Sequence, residues 1–132
     1  MFVRVLGIHP GLTRCGYGLI AVQERRQVNF EANGVLTTSK ENSITLRLKE
    51  MHFDLNELIS ELKPDVIAIE KVYFQSNVSS AISVAQVSGI VHSVASRYGI
   101  DVSEYTPTQI KNAITSDGKA DKIQIQQMVV RM

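Results

Sequence analysis

The opening stretch Phe2-Val3-Arg4-Val5-Leu6-Gly7-Ile8-His9-Pro10-Gly11 decides how the rest of the chain is read. Residues 2–8 form a short, mostly apolar run, and His9-Pro10-Gly11 stops it: proline has no N–H to continue a strand ladder, and glycine tolerates a tight turn. The pattern predicts a strand with His9 at its end. Residues 16–22 and 28–36 are further strand-like runs, separated by the charged Gln23-Glu24-Arg25-Arg26-Gln27. Three consecutive strands with short connections pair antiparallel.

The hydrophobic period then changes. Ile44, Leu48, Met51, Leu55, Leu58, Ile59 and Leu62 recur three and four apart, the spacing of one helical face. Asn42 or Ser43 is placed to cap the start of this helix, and Pro64 follows its end. Residues 66–69 form an apolar strand without alternation, expected to be buried on both faces and to end on Glu70. A second helix is expected over about 78–98 with Gly99 as its stop, and its Ala81, Ala85, Gly89 stripe is expected to admit a close backbone approach. Residues 101–105 read as a fifth strand, Pro107 opens a short helix, and another begins over 123–130. Strands four and five, each reached through a helix, favour parallel pairing with strand one through right-handed crossovers. The order βββαβαβαα describes an α/β fold of the ribonuclease H-like type. Its mixed five-stranded sheet has the first three strands antiparallel and the others parallel, with helices on both faces.

The 132 residues, 44% of them apolar, suit one domain over 1–132 with a real core. No apolar stretch approaches the roughly 18 residues of a membrane span, and the N-terminus lacks the pattern of a signal peptide, so the expectation is a cytoplasmic protein without a membrane partner. The single Cys15 forms no internal disulfide and reads as a small strand residue. A net charge of +1 does not announce a nucleic-acid binder, and any DNA site has to be a local patch. Between Lys111 and Met132, four cations (Lys111, Lys119, Lys122, Arg131) stand against Asp117 and Asp121.

In open mixed sheets, ligands gather at the C-terminal ends of neighbouring parallel strands. Two polar residues fall there, His9 after strand one and Glu70 after strand four. A carboxylate at such a position suits a hard divalent cation such as magnesium, which prefers oxygen ligands. His52 and His92, without acidic or histidine neighbours at ligand spacing, are read as structural. Thr13 and Ser76 are read as turn caps. No Ser-His-Asp arrangement is visible, so nucleophilic catalysis by a side chain is not expected.

Three sets of residues, in order and spanning nearly the whole chain, carry a resemblance. The first is Leu6-Gly7-Ile8-His9-Pro10-Gly11 with Gly16-Tyr17-Gly18. The second is Ala68-Ile69-Glu70-Lys71-Val72-Tyr73-Phe74 with Asn77 and Ser80-Ala81. The third is Gln109-Ile110-Lys111 with residues 118–129. Together they resemble the bacterial RuvC-type Holliday-junction resolvases. The first set alone is also similar to the phosphate-binding hairpin of actin and sugar-kinase ATPases.

The resemblance implies a homodimeric crossover junction endodeoxyribonuclease of DNA recombination and repair. Such an enzyme cuts four-way junction DNA with Mg2+ (or Mn2+) held by four acidic residues, and partners a branch-migration helicase complex. It places the first metal-binding carboxylate on His9 and the second on Glu70. The other two belong to a C-terminal catalytic helix that these 132 residues do not include. It further implies Lys111 and Lys122 beside the scissile phosphate, and Tyr73 stacking on an unpaired base, a contact worth ~1–3 kcal/mol. Phe74, Lys119 and Arg14 are further DNA-facing candidates, as is Arg97. Histidine is a softer nitrogen ligand and does not bridge two metals as a carboxylate does, so the chain is expected to be impaired as a nuclease. Three readings stand at this stage: a junction nuclease core, a non-cleaving junction-binding module or degenerate relative, and an ATPase-type protein using the 9–18 hairpin.

Overall fold

Two buried networks organise the molecule, one on each face of a five-stranded sheet, and the strand register explains both. The computed structural model describes residues 2–23, 28–71 and 78–105. Strands β1 (Phe2–His9), β2 (Arg14–Gln23) and β3 (Val28–Thr37) are followed by α1 (Ile44–Leu62), β4 (Val66–Glu70), α2 (Val78–Arg97) and β5 (Asp101–Tyr105). The sheet order is β3-β2-β1-β4-β5, antiparallel across β3-β2-β1 and parallel across β1-β4-β5. The two helices expected beyond residue 105, and with them the expected cover on the second face, lie outside the described residues.

Alternation along β1 and β4 sends Leu6, Ile8, Ile67 and Ile69 to one face and Val5 and Ala68 to the other. The first face is covered by Met51, Leu55 and Ile59 of α1 and by Val87, Val91, Val94 and Ala95 of α2, all buried. Both described helices therefore share one face. On the opposite face Val5, Ile20 and Ala68 are buried, with Val22 and Tyr105 packed against them. Ile67, Ala68, Ile69 and Glu70 are all buried, as the uninterrupted apolar run predicts.

Local signals hold at both helix ends. Ser43 is the N-cap of α1: its hydroxyl accepts from the Leu46 N–H at 3.2 Å, and its backbone is extended. Lys63 closes the helix in the left-handed region at φ 48°, donating its N–H to the Ile59 carbonyl. Gly99 ends α2 at φ +66°, and the Ile100 N–H reaches back to the Ala95 carbonyl at 2.9 Å. The small-residue stripe does not behave as expected. Ala85 and Gly89 are exposed, and a Cβ added at Gly89 would meet nothing within 4 Å among the described residues. The helix instead buries its valine face, because apolar area rather than small size drives contact with the sheet.

Candidate functional site

The β1–β2 connection is held in place from three directions. Gly11 has to be glycine because a Cβ there would lie 2.3 Å from the Arg14 carbonyl oxygen. Thr38, just past β3, donates its hydroxyl to the Leu12 carbonyl at 2.6 Å, and its N–H reaches the Thr13 carbonyl at 3.3 Å. From the first turn of α1, Arg47 donates Nε to Thr38 Oγ1 and Nη2 to Thr13 Oγ1, each at 3.0 Å. The turn that follows His9 is thereby tied to β3 and α1, which fixes the strand end it continues.

At that strand end the parallel β1–β4 ladder aligns Ile8 with Ile69, so His9 and Glu70 are the next residues on adjacent strands. His9 Nδ1 donates to Glu70 Oε2 at 2.5 Å, with the imidazole 40% and the carboxylate 9% exposed. The hydrogen bond to Glu70 raises the His9 pKa above its ordinary 6.5; burial opposes this, and the charge of Glu70 adds to it. The carboxylate, buried at the sheet end, finds its partner in the imidazole, as a buried charge must. The pair fixes the ring through Nδ1 and leaves Nε2 as its other donor or acceptor.

The prediction that His9 and Glu70 meet at the ends of parallel strands therefore holds in the geometry. Arg14 opens β2 with an exposed side chain on a cleft of about 710 Å³ that His9 also lines. Arg97 points elsewhere, donating to Asn56 Oδ1 at 3.4 Å and lying 5.8 Å from the Tyr98 ring centroid, so it serves the α1–α2 contact. His92, read as structural for want of acidic or histidine neighbours at ligand spacing, pairs with Glu104 of β5 at 3.3 Å, a contact between elements that sequence spacing does not reveal. Tyr73, Phe74, Lys111, Lys119 and Lys122 lie outside the described residues. Lys40 and Arg47 also line the cleft, and neither was singled out from sequence. Each is an ordinary cation on a helix or turn until the β3–α1 connection brings it to the β1–β2 turn.

As a magnesium or manganese site, the described residues do not fit. No group of three or more His, Cys, Asp or Glu side chains converges among them. Of the two donors that do meet, one is a nitrogen, and it occupies Oε2 of the only carboxylate.

The RuvC family model, described as crossover junction endodeoxyribonuclease RuvC, matches residues 5–132. The chain belongs to the RuvC family. Its relatives include RuvC of Renibacterium salmoninarum, 41% identical over 98% of this chain and 67% of that one. RuvC of Paenarthrobacter aurescens is 40% identical over 100% of this chain and 70% of that one. Among solved structures, T. thermophilus RuvC in complex with a Holliday junction substrate superposes with a TM-score of 0.78, covering 97% of this chain and 80% of that chain at 24% identity. That likeness carries the fold. The family model and the curated relatives place this chain among the crossover junction endodeoxyribonucleases, nucleases of the hydrolase class. No described helix is long and apolar enough to cross a membrane.

Proposed function

We propose that residues 1–132 form a single ribonuclease H-like domain that recognises four-way DNA junctions. As a family, such domains resolve junctions in recombination and repair by paired, metal-dependent phosphodiester cleavage. We propose further that His9 impairs cleavage by this chain. The observation that carries this reading is the His9–Glu70 pair at the ends of β1 and β4, in a chain matched by the RuvC family model over residues 5–132. Among the described residues Glu70 is the carboxylate at this end of β1 and β4 suited to Mg2+ or Mn2+, and His9 puts an imidazole where a second carboxylate would share that ion. Homodimerisation follows from the demand for two equivalent cuts in a two-fold substrate. A branch-migration helicase partner and a cytoplasmic setting complete the reading. Tyr73, Phe74 and Lys119 are assigned to DNA contact, and Lys111 and Lys122 to the scissile phosphate.

The test is anisotropy titration of a four-way junction against a duplex of the same strands, with cleavage followed in Mg2+ and in Mn2+. Preferential junction binding with little cleavage is expected, together with more cleavage after His9→Asp, and none after Glu70→Gln with junction binding retained. Equal affinity for duplex and junction would overturn junction recognition. Cleavage unchanged by His9→Asp would favour the non-cleaving binding module instead.

A further inference from the structure

The sheet ends on β3, and that edge is long and unguarded. β3 runs for 10 residues at the outside of the order β3-β2-β1-β4-β5, and among the described residues its backbone ladder is with β2 alone. The outward N–H and C=O groups of alternate residues are therefore a template for a further strand. Proteins blunt such edges with lysine, proline or short length. Val28–Thr37 contains neither lysine nor proline, and its one charge, Glu31, is tied to Arg4 at 3.0 Å. The irregularity opposite Leu19 and Ile20 leaves β3 paired with β2 on both sides of it, so the edge continues through the bulge. The opposite edge, β5, has only 5 residues and carries Asp101 and Glu104.

The two faces of this edge differ in character. Phe30 stands opposite Ile20 and Val35 opposite Gly16, so both project from the face that Ile20 shares with Val5 and Ala68. They are 72% and 41% exposed, an apolar border beside the open backbone. On the helix-covered face Leu36 borders a shallow hollow of about 170 Å³, whose other wall is Asp54, Glu57, Leu58 and Glu61 of α1. None of these three carboxylates takes part in an ion pair among the described residues. A strand laid along β3 would point alternate side chains at the apolar border and at the carboxylates.

We propose that the β3 edge docks an extended basic segment of a partner protein, which adds to the sheet as a strand. Main-chain hydrogen bonds supply the affinity, and the side chains supply the selection. Apolar residues of the segment cover Phe30 and Val35, and its alternate lysines or arginines meet Asp54, Glu57 and Glu61. The same carboxylates exclude nucleic acid from this edge. They also disfavour a second copy of this chain, because antiparallel pairing of two β3 strands about a two-fold axis sets both α1 flanks on one side, carboxylates facing carboxylates.

The probe is a displayed library of random peptides of strand length, selected on this chain, with the enriched sequence then synthesised and titrated by anisotropy. Enriched peptides are expected to alternate apolar with cationic residues and to slow amide exchange at alternate positions of β3. N-methylating the alternate peptide amides that face β3 should weaken binding by about tenfold or more, the loss expected of two or more main-chain hydrogen bonds, and methylating the other set should not. Val35→Lys, and Glu57→Lys combined with Glu61→Lys, should each weaken binding several-fold. All three side chains are exposed, so the variants keep the melting temperature; the methylated peptides decide the matter even where a variant does not fold.

No enrichment, enriched peptides without the alternation, or affinity indifferent to methylation would overturn the proposal. Slowed exchange confined to α1, with helical circular dichroism in the bound peptide, would assign the hollow to a docked helix and overturn strand addition. Slowed exchange of β3 in the chain alone that grows with protein concentration, with a sedimenting dimer lost in Val35→Lys, would give the edge to a second copy and overturn the basic partner.

Discussion

His9 Nδ1 and Glu70 Oε2 meet at 2.5 Å across the parallel β1–β4 pair, joining an exposed imidazole to a buried carboxylate. Neither residue is close in sequence to the other. Their contact is set by the ladder that aligns Ile8 with Ile69, and it gives the molecule a titratable bond at the mouth of its cleft.

Stability should carry the signature of that bond. The folded His9 pKa lies above its ordinary 6.5 because Glu70 accepts its proton bond. The contribution is therefore fully present below pH 6.5 and is lost as pH rises through the higher folded value. In chemical denaturation from pH 6 to 9, the gap between wild type and His9→Asn is expected to narrow as pH rises. Because the imidazole is 40% exposed, the pH-dependent part should stay below about 1 kcal/mol. A gap that widens with pH would contradict the assignment.

Two glycines make a contrasting pair. At Gly11 a Cβ would sit 2.3 Å from a backbone oxygen of Arg14, which the tethered turn does not release. At Gly34 the obstacle is the outer end of the Tyr17 side chain, its hydroxyl at 2.5 Å and its ring carbons Cζ at 2.8 Å and Cε1 at 3.0 Å, rather than backbone. Gly11→Ala should cost about 1–3 kcal/mol. Gly34→Ala, which also stiffens the unfolded chain, should cost less. Thermal melts of the two variants, with losses of equal size or in reverse order, would show that the turn is not the rigid member.

Cys15 is fully buried in β2, and burial pushes its thiol up to about 11 against a Gly11 backbone hydrogen bond that lowers it. Thiolate is the reactive form. Alkylation at pH 8 should be slower than in the urea-unfolded chain by at least about 100-fold. Comparable rates in the two states would mean that the strand opens far more readily than its packing implies.

Much of this protein was legible before folding was considered. Chain-local chemistry predicted all five described strands and both described helices: short apolar runs bounded by turn residues, a spacing of three and four, a capping position at Asn42 or Ser43, and a proline and a glycine at helix ends. The order of elements predicted that strands one and four run parallel, and hence that His9 and Glu70 share one end of the sheet. Family membership was also readable, in spaced motifs along the chain. Tertiary structure decided what depends on which surfaces meet. It selected the valine face of α2 over its small-residue stripe, because buried apolar area outweighs close approach. It joined His92 to Glu104 and turned Arg97 toward Asn56. Above all it brought Arg47 and Thr38 to the turn after His9. The donor Arg47 and its two threonine acceptors are scattered over 34 positions, and a hydrogen bond between such positions exists only after the β3–α1 connection has closed.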